Sequence, residues 1–271
     1  MTTRDSPIIL VLALLAAYIW LQDLSWTSES ADALPILLAL PTFIWLGKPW
    51  NLHPQTMPIP TTGLVLTVTS FVVGIITGWA LILSLGWTIL LWTWLSTKLD
   101  PEGRQHIKKL LILPLMSFPW LLLDGDTVGW WFRLSGSWVA GQFFSLTGFH
   151  ALQEGTSLLV QGIPVDVSAA CSGINALQSM LIAGSALAYI FVGHHPVYWL
   201  NLPLLIVISW VANTLRIIVI ALAALTVSPE FAAGLFHDWG GLGVLVLMFL
   251  LCWAFFSMEK SLLQKQKPAR K

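Results

Sequence analysis

Charge is scarce in this sequence: thirteen Lys and Arg and thirteen Asp and Glu make up only 10% of its 271 residues. A soluble domain carries about 25%, so a water-solvated fold of this length is excluded. The charges also sum to zero, which removes the basic surface that a nucleic-acid partner needs. Cysteine is nearly absent. Cys171 and Cys252 stand too far apart to make a disulfide framework or a metal knuckle, and neither metal nor cofactor is expected. Repeats, low-complexity tracts and linkers are missing as well. The chain therefore reads as a single integral membrane domain over 1–271, with a catalytic core at about 60–258 and a basic tail at 259–271.

What fills the chain is apolar. Hydrophobic residues are 56% of it and the mean hydropathy is +0.79. Sixteen tryptophans fit a bilayer setting, because indole favours the membrane–water interface. A spanning helix needs about 20 mostly apolar residues. Such runs fall at 7–22, 33–47, 62–78, 80–97, 109–123, 173–193, 200–226 and 240–258. Gly74, Gly78 and Gly86 allow a tight turn that divides 62–97 into two helices. The first run follows a single arginine and has no clear small-residue cleavage site, so it reads as a retained helix. The expected fold is an all-α polytopic membrane protein of about eight transmembrane helices.

Orientation follows from the basic residues. With the amino terminus inside, one side receives Arg4, Lys48, Lys98, Arg104, Lys108, Lys109 and the tail "EKSLLQKQKPARK". That side then holds eleven of thirteen basic residues, and the opposite loops hold nine of thirteen acids. Both termini are expected in the cytoplasm, with the chain in a cell inner membrane. The longest loop, between the fifth and sixth helices, is then external. Its aromatic-spaced first part, "GWWFRLSGSWVAGQFFSLTGFH", reads as an interfacial helix. The following "TSLLVQGIPVDVS" reads as a β-hairpin turning at Gln161-Gly162.

Three residues stand out against lipid. Cys171, in "VDVSAACSGINALQSM", lies at the outer mouth of the sixth helix, between Ala170 and the pair Ser172 and Gly173. Arg216, in "VANTLRIIVIAL", lies inside the seventh helix, where a guanidinium costs a few kcal/mol unless it reaches polar partners. Asn213, three residues earlier, shares its face. His237, in "AAGLFHDWGGLG", opens the eighth helix. All three approach the outer side. Each also has a plain structural reading: a small cysteine packing a helix mouth, a snorkelling or ion-paired arginine, a solvated histidine. Together they hold the parts of acyl transfer. An ordinary thiol, with a pKa of about 8.5, needs a base near neutral pH, and an imidazole supplies one. Arginine does not deprotonate, so its role is to stabilise a thiolate, an oxyanion or a carboxylate. Gly173 permits close backbone approach, and the helix start beside it offers free amides.

The sequence "SAACSGI", then "NTLR", then "HDWGG" resembles the exosortase/archaeosortase family over roughly residues 60 to 258. The resemblance implies a polytopic cysteine protease and transpeptidase that processes carboxy-terminal sorting signals of the PEP-CTERM type. Such a signal comprises a short motif, a membrane helix and a basic end, so the implied partners are membrane-anchored proteins within the same bilayer. It also implies Cys171 as nucleophile and Arg216 and His237 as its companions. Histidine at the last position resembles the bacterial branch. A competing reading is a transporter or channel with Arg216 as an anion site, although two repeated halves are missing.

Other polar features read as structural. Cys252 is expected to pack inside the eighth helix, and Gly184 and Ala188 to ease helix packing. His194 and His195 fall on the cytoplasmic side. Asp124 and Asp126 form an outer-loop turn, with a substrate or cation role as the alternative, and Asp166 is read the same way, with orientation of His237 as its alternative.

Overall fold

The computed structural model describes residues 6–28, 30–52, 58–165 and 173–265, and helix dominates them. The first helices are α1 (Ser6–Leu21), α2 (Ser30–Leu46), α3 (Thr61–Thr77) and α4 (Ala80–Ser96). Next come α5 (Pro101–Leu110), α6 (Ile112–Met116), α7 (Trp120–Leu123) and α8 (Asp126–Leu146). Strands β1 (Ala151–Glu154), β2 (Ser157–Val160) and β3 (Ile163–Val165) follow. The chain continues with α9 (Ile174–Ser179), a π turn (Met180–Gly184) and α10 (Ser185–Val192). It then runs through α11 (Tyr198–Thr226), α12 (Pro229–Ala233) and α13 (Leu235–Lys265).

Among the described residues, three stretches are long and apolar enough to cross a membrane: Ile174–Val192, Tyr198–Thr226 and Gly243–Lys265. Four more apolar helices are shorter, at Ser6–Leu21, Ala33–Leu46, Thr61–Thr77 and Ala80–Ser96. The chain divides into two compact units, Met1–Gly125 with Leu181–Trp199, and Asp126–Met180 with Leu200–Lys271.

In the first unit α3 and α4 form a close hairpin. Gly78 ends α3 in the left-handed region at φ 74°, and its N–H donates to the Gly74 carbonyl at 2.9 Å. A Cβ on Gly74 would come within 2.7 Å of Leu83 Cδ2, and one on Gly86 within 3.0 Å of Phe71 Cδ2. The glycines thus make the turn and let the two helices touch. Tryptophans hold the neighbours. Trp87 Nε1 donates to Leu12 of α1 at 2.7 Å, and Trp20 Nε1 donates to the Ser117 carbonyl at 2.8 Å. Both rings pack against Phe118, Trp87 edge-on and Trp20 tilted, with centroids 5.0 and 5.6 Å away. These indoles are internal donors, whereas composition had suggested an interfacial role.

The fifth expected helix, 109–123, is not continuous. It is broken into the end of α5, then α6 and α7. Pro114 and Pro119 each lack the N–H that an unbroken ladder requires, and Ser117 Oγ bonds back to the Pro114 carbonyl at 2.7 Å. The broken segment nevertheless runs the length of α4. At one end Lys109 Nζ donates to the Gly193 carbonyl at 2.6 Å. At the other end Asp124 accepts from Ala80 N at 3.2 Å and Leu81 N at 2.6 Å, capping α4. Asp124 is therefore a helix cap borrowed by a partner more than forty residues away.

In the second unit α8 is amphipathic. Phe132, Gly136, Ala140 and Phe144 recur every fourth residue and are buried, while Trp131 and Trp138 are exposed. The three strands form an antiparallel meander in the order β1-β2-β3. Gln161 (φ 53°) and Gly162 (φ 78°) make the turn that pairs Val160 with Ile163. The expected hairpin segment thus carries β2 and β3, and β1 extends them. Leu158 and Val160 pack with Ala140 and Phe144 of α8 and with Ile217, Ile218 and Ala221 of α11. A Cβ on Gly136 would meet Ile217 Cδ1 at 3.0 Å, so α8 and α11 approach closely there. Trp210 Nε1 adds a 2.8 Å bond to Ser135 Oγ. Farther along, Asn201 Nδ2 donates to Glu259 Oε2 at 2.9 Å and joins α11 to α13, whose Met248, Cys252 and Phe256 are buried.

Candidate active site

Cys171, Ser172 and Asp166 lie outside the described residues. The chain on either side of them is described, and both sides rest against α11. Before the gap, Ile163 of β3 packs on the cluster of Ala223, Ala224 and Ala232. After it, Gly173 caps α9 at φ 76°. A Cβ at Gly173 would fall 2.7 Å from Asn213 Cγ and 2.9 Å from its Oδ1. Only glycine tolerates both that backbone conformation and that approach. Arg216 lies on α11 between these two contacts, one turn beyond Asn213. The described chain on each side of this segment therefore packs against the helix that carries the arginine.

Asn213 is 4% exposed, and the Nε atom of Arg216 is buried. Their surroundings explain why polar groups persist there. Thr214 Oγ1 returns its bond to the Trp210 carbonyl at 2.9 Å, Ser209 Oγ bonds Leu205 at 2.9 Å, and Asn201 reaches Glu259. With Asn213 and Arg216, Ser209 and Thr214 make the middle of α11 polar inside an otherwise apolar helix, and Asn201 does so near its start. A guanidinium there has a fixed donor fork to offer.

His237 lies in the first turn of α13, and nothing more is described of its side chain. Its position follows from α12. Ser228 caps that helix by accepting from Phe231 N at 3.1 Å, and Ala232 joins Ala223 and Ala224 in the cluster that Ile163 touches. Glu230, in the same turn, is held below the ordinary carboxylate range by backbone and Ser228 hydrogen bonds. α13 therefore begins beside the end of α11 where the meander also packs. The structure brings Gly173 and Asn213 into contact and puts Arg216 one turn away on the same helix.

Gln178 did not stand out among the candidate residues of the sequence. It is 2% exposed, and neither its Oε1 nor its Nε2 has a hydrogen-bond partner among the described residues. Leaving such a group buried costs about 1–3 kcal/mol. The signal was present in "INALQSMLIAG", where Asn175 and Gln178 both interrupt an apolar run and only Gln178 is buried. An apolar groove of about 400 Å³ also opens between α11 and α13, lined by Val211, Ala212, Leu215, Val244, Met248 and Leu251 among others.

The other polar features are elsewhere. A polar recess of about 450 Å³ in the first unit includes Asp100, Glu102, His106, Lys109 and His194. Burial holds the His106 imidazole below its usual 6.5, and the nearby His194 and Lys109 charges add to that. Cys252 is fully buried in α13. Among the described residues no group of three His, Cys, Asp or Glu is arranged to hold a metal.

A family model described as transmembrane exosortase (Exosortase_EpsH) matches residues 2–254. No curated protein and no solved structure matches the chain.

Proposed function

The chain belongs to the transmembrane exosortase family of sorting-related membrane transpeptidases, and on that premise we propose that it cleaves carboxy-terminal sorting signals of the PEP-CTERM type through a thioester on Cys171. The observation that carries this reading is the packing of Ile163 and Gly173 against α11, on either side of Arg216. The described chain on both sides of the thiol packs on the helix that carries Arg216, whose Nε is buried.

The chemistry follows from these groups. The Cys171 thiol loses its proton to the imidazole of His237, and its sulfur attacks the carbonyl carbon of the signal peptide. Negative charge gathers on the carbonyl oxygen. Arg216 faces that charge with a fork of donors that cannot lose its proton, and Asn213 holds the fork in place. His237 then gives its proton to the departing amine, the carbon–nitrogen bond breaks, and the helical tail leaves. The acyl group stays on sulfur until an amine, a hydroxyl or water attacks the thioester and the thiol regains its proton. Ser172 and Gly173 contribute the backbone of the turn beside the thiol. The groove between α11 and α13 offers an apolar seat to the substrate's own helix.

The reading places both termini in the cytoplasm and the thiol on the outer face. It is tested by following conversion of a membrane-anchored substrate in cells carrying wild type or Cys171→Ala. Loss of all processing, with the variant present in the membrane at normal level, is the expected result. Processing at the wild-type rate ends the proposal and restores the transporter reading.

A further inference from the structure

We propose that Gln178 is a substrate-positioning residue, which hydrogen-bonds the backbone of the substrate just on the leaving-helix side of the scissile bond. This inference rests on the protease reading above. It starts from the amide itself. Gln178 lies inside a helical stretch apolar enough to cross a membrane, is 2% exposed, and leaves both polar atoms without a partner among the described residues. Leucine would fill the same space with no polar group to satisfy. The other buried amides of this unit that have described bonds are engaged, as Asn201 is with Glu259. An amide held open in this way among the described residues is available to a partner outside them.

Position says which partner. Gln178 is five residues beyond Gly173, about 7.5 Å along the helix axis at the ordinary rise. It is the first buried amide on the helix beyond Gly173, since Asn175 before it is exposed. Such a peptide has a definite need. The first four N–H groups of its helix have no partner within the helix, and lipid supplies none. The extended residues leading to the scissile bond leave both N–H and C=O open. A glutamine side chain offers two donors and one acceptor, the same set that a peptide unit seeks. No charged group would match a neutral backbone so well.

The local backbone is also adaptable. Directly after Gln178 the ladder changes to the π turn Met180–Gly184, and Ser185 Oγ takes up the Ile182 carbonyl at 3.0 Å. A π turn adds a residue to the helix and re-aims the side chains next to it, and such turns recur at functional sites. Here it follows the unpaired amide by one residue.

The test uses the full-length enzyme in nanodiscs with a membrane-anchored substrate. Gln178→Leu and Gln178→Met are compared with wild type for kcat and KM, for thermal midpoint, and for alkylation of Cys171 by a small thiol reagent. The expected result is a fall in kcat/KM of about tenfold, the loss of one hydrogen bond in a dry site, with midpoint and alkylation equal to wild type or higher. A substrate carrying an ester in place of the first peptide N–H beyond the scissile bond should lose a similar factor on wild type and little more on Gln178→Leu. Wild-type kcat/KM in both variants overturns the inference. So does a fall that comes with a lower midpoint and slower alkylation, because that is a packing role. A Cys171→Ala control separates the two levels: cleavage by that variant refutes the thiol mechanism itself, whatever the Gln178 variants do.

Discussion

The two units bury polar groups in different ways. In the first, they are mostly hydroxyls that bond back to their own helix. Thr67 reaches Gly63, Ser84 reaches Ala80, Thr88 reaches Ser84 and Thr93 reaches Ile89, all between 2.7 and 2.9 Å. Such groups are neutralised locally and ask nothing of a partner. In the second unit the buried polar residues include Asn201, Asn213 and Gln178, and the Nε of Arg216. Those side chains carry amide or guanidinium donors, and Asn201 uses its own to reach Glu259 of α13. Trp94 is an exception in the first unit, with its buried indole N–H unpartnered among the described residues. The contrast teaches where the proposed site fits: the first unit settles its buried hydroxyls locally, and the second retains polar groups that cost stability.

Substitutions should divide along the same line. The largest effect is expected at Arg216. Arg216→Lys keeps a charge but loses the planar fork, so processing should fall about a hundredfold, as when one oxyanion donor is removed. The thermal midpoint in detergent should hardly move. Wild-type processing by this variant would erase the contrast.

A smaller effect, and of the opposite kind, is expected at Asp124. Asp124→Ala removes the cap from the start of α4, which costs about 1 kcal/mol. Chemical or thermal unfolding should show that loss, while the activity per folded molecule stays near wild type. A selective loss of activity at unchanged stability would return Asp124 to the site.

The smallest effect concerns pH. Burial lowers the His106 pKa in the folded state, so below about 6.5 the unfolded chain binds more protons. Stability contributed at neutral pH is therefore lost as the pH falls through that window. Thermal midpoints of wild type should decline on acidification, and His106→Gln should flatten the decline. A decline of equal size in the variant would assign it to other groups.

Much of this architecture was legible in the sequence where the information is local. Gly78 announced the α3–α4 turn because only a left-handed residue closes so short a link, and Gln161-Gly162 marked the turn of the meander for the same reason. Helix limits near 6–21, 61–77 and 198–226 follow from apolar runs and their ends. What was not legible depends on distant partners. Asp124 looked like a loop acid because the amides it caps lie in α4, and Trp20 and Trp87 looked interfacial because their acceptors lie in other helices. The broken fifth segment was misread because hydropathy outweighed Pro114 and Pro119, although a packed bundle tolerates such breaks. For the site, Asn213 and Gly173 were singled out by their neighbours in sequence, and the structure brings them into contact. Gln178 was passed over because an unpaired amide is a property of its surroundings.

The most direct test of the central claim is to find the acyl group. Purified enzyme in detergent is mixed with a membrane-anchored substrate peptide, the acceptor is withheld, and intact mass and peptide mapping locate any adduct. The expected result is an added acyl mass on Cys171 that hydroxylamine removes, as a thioester requires, and no adduct on Cys171→Ala. An adduct mapped to Cys252, or full cleavage by the Cys171→Ala enzyme, would contradict the account.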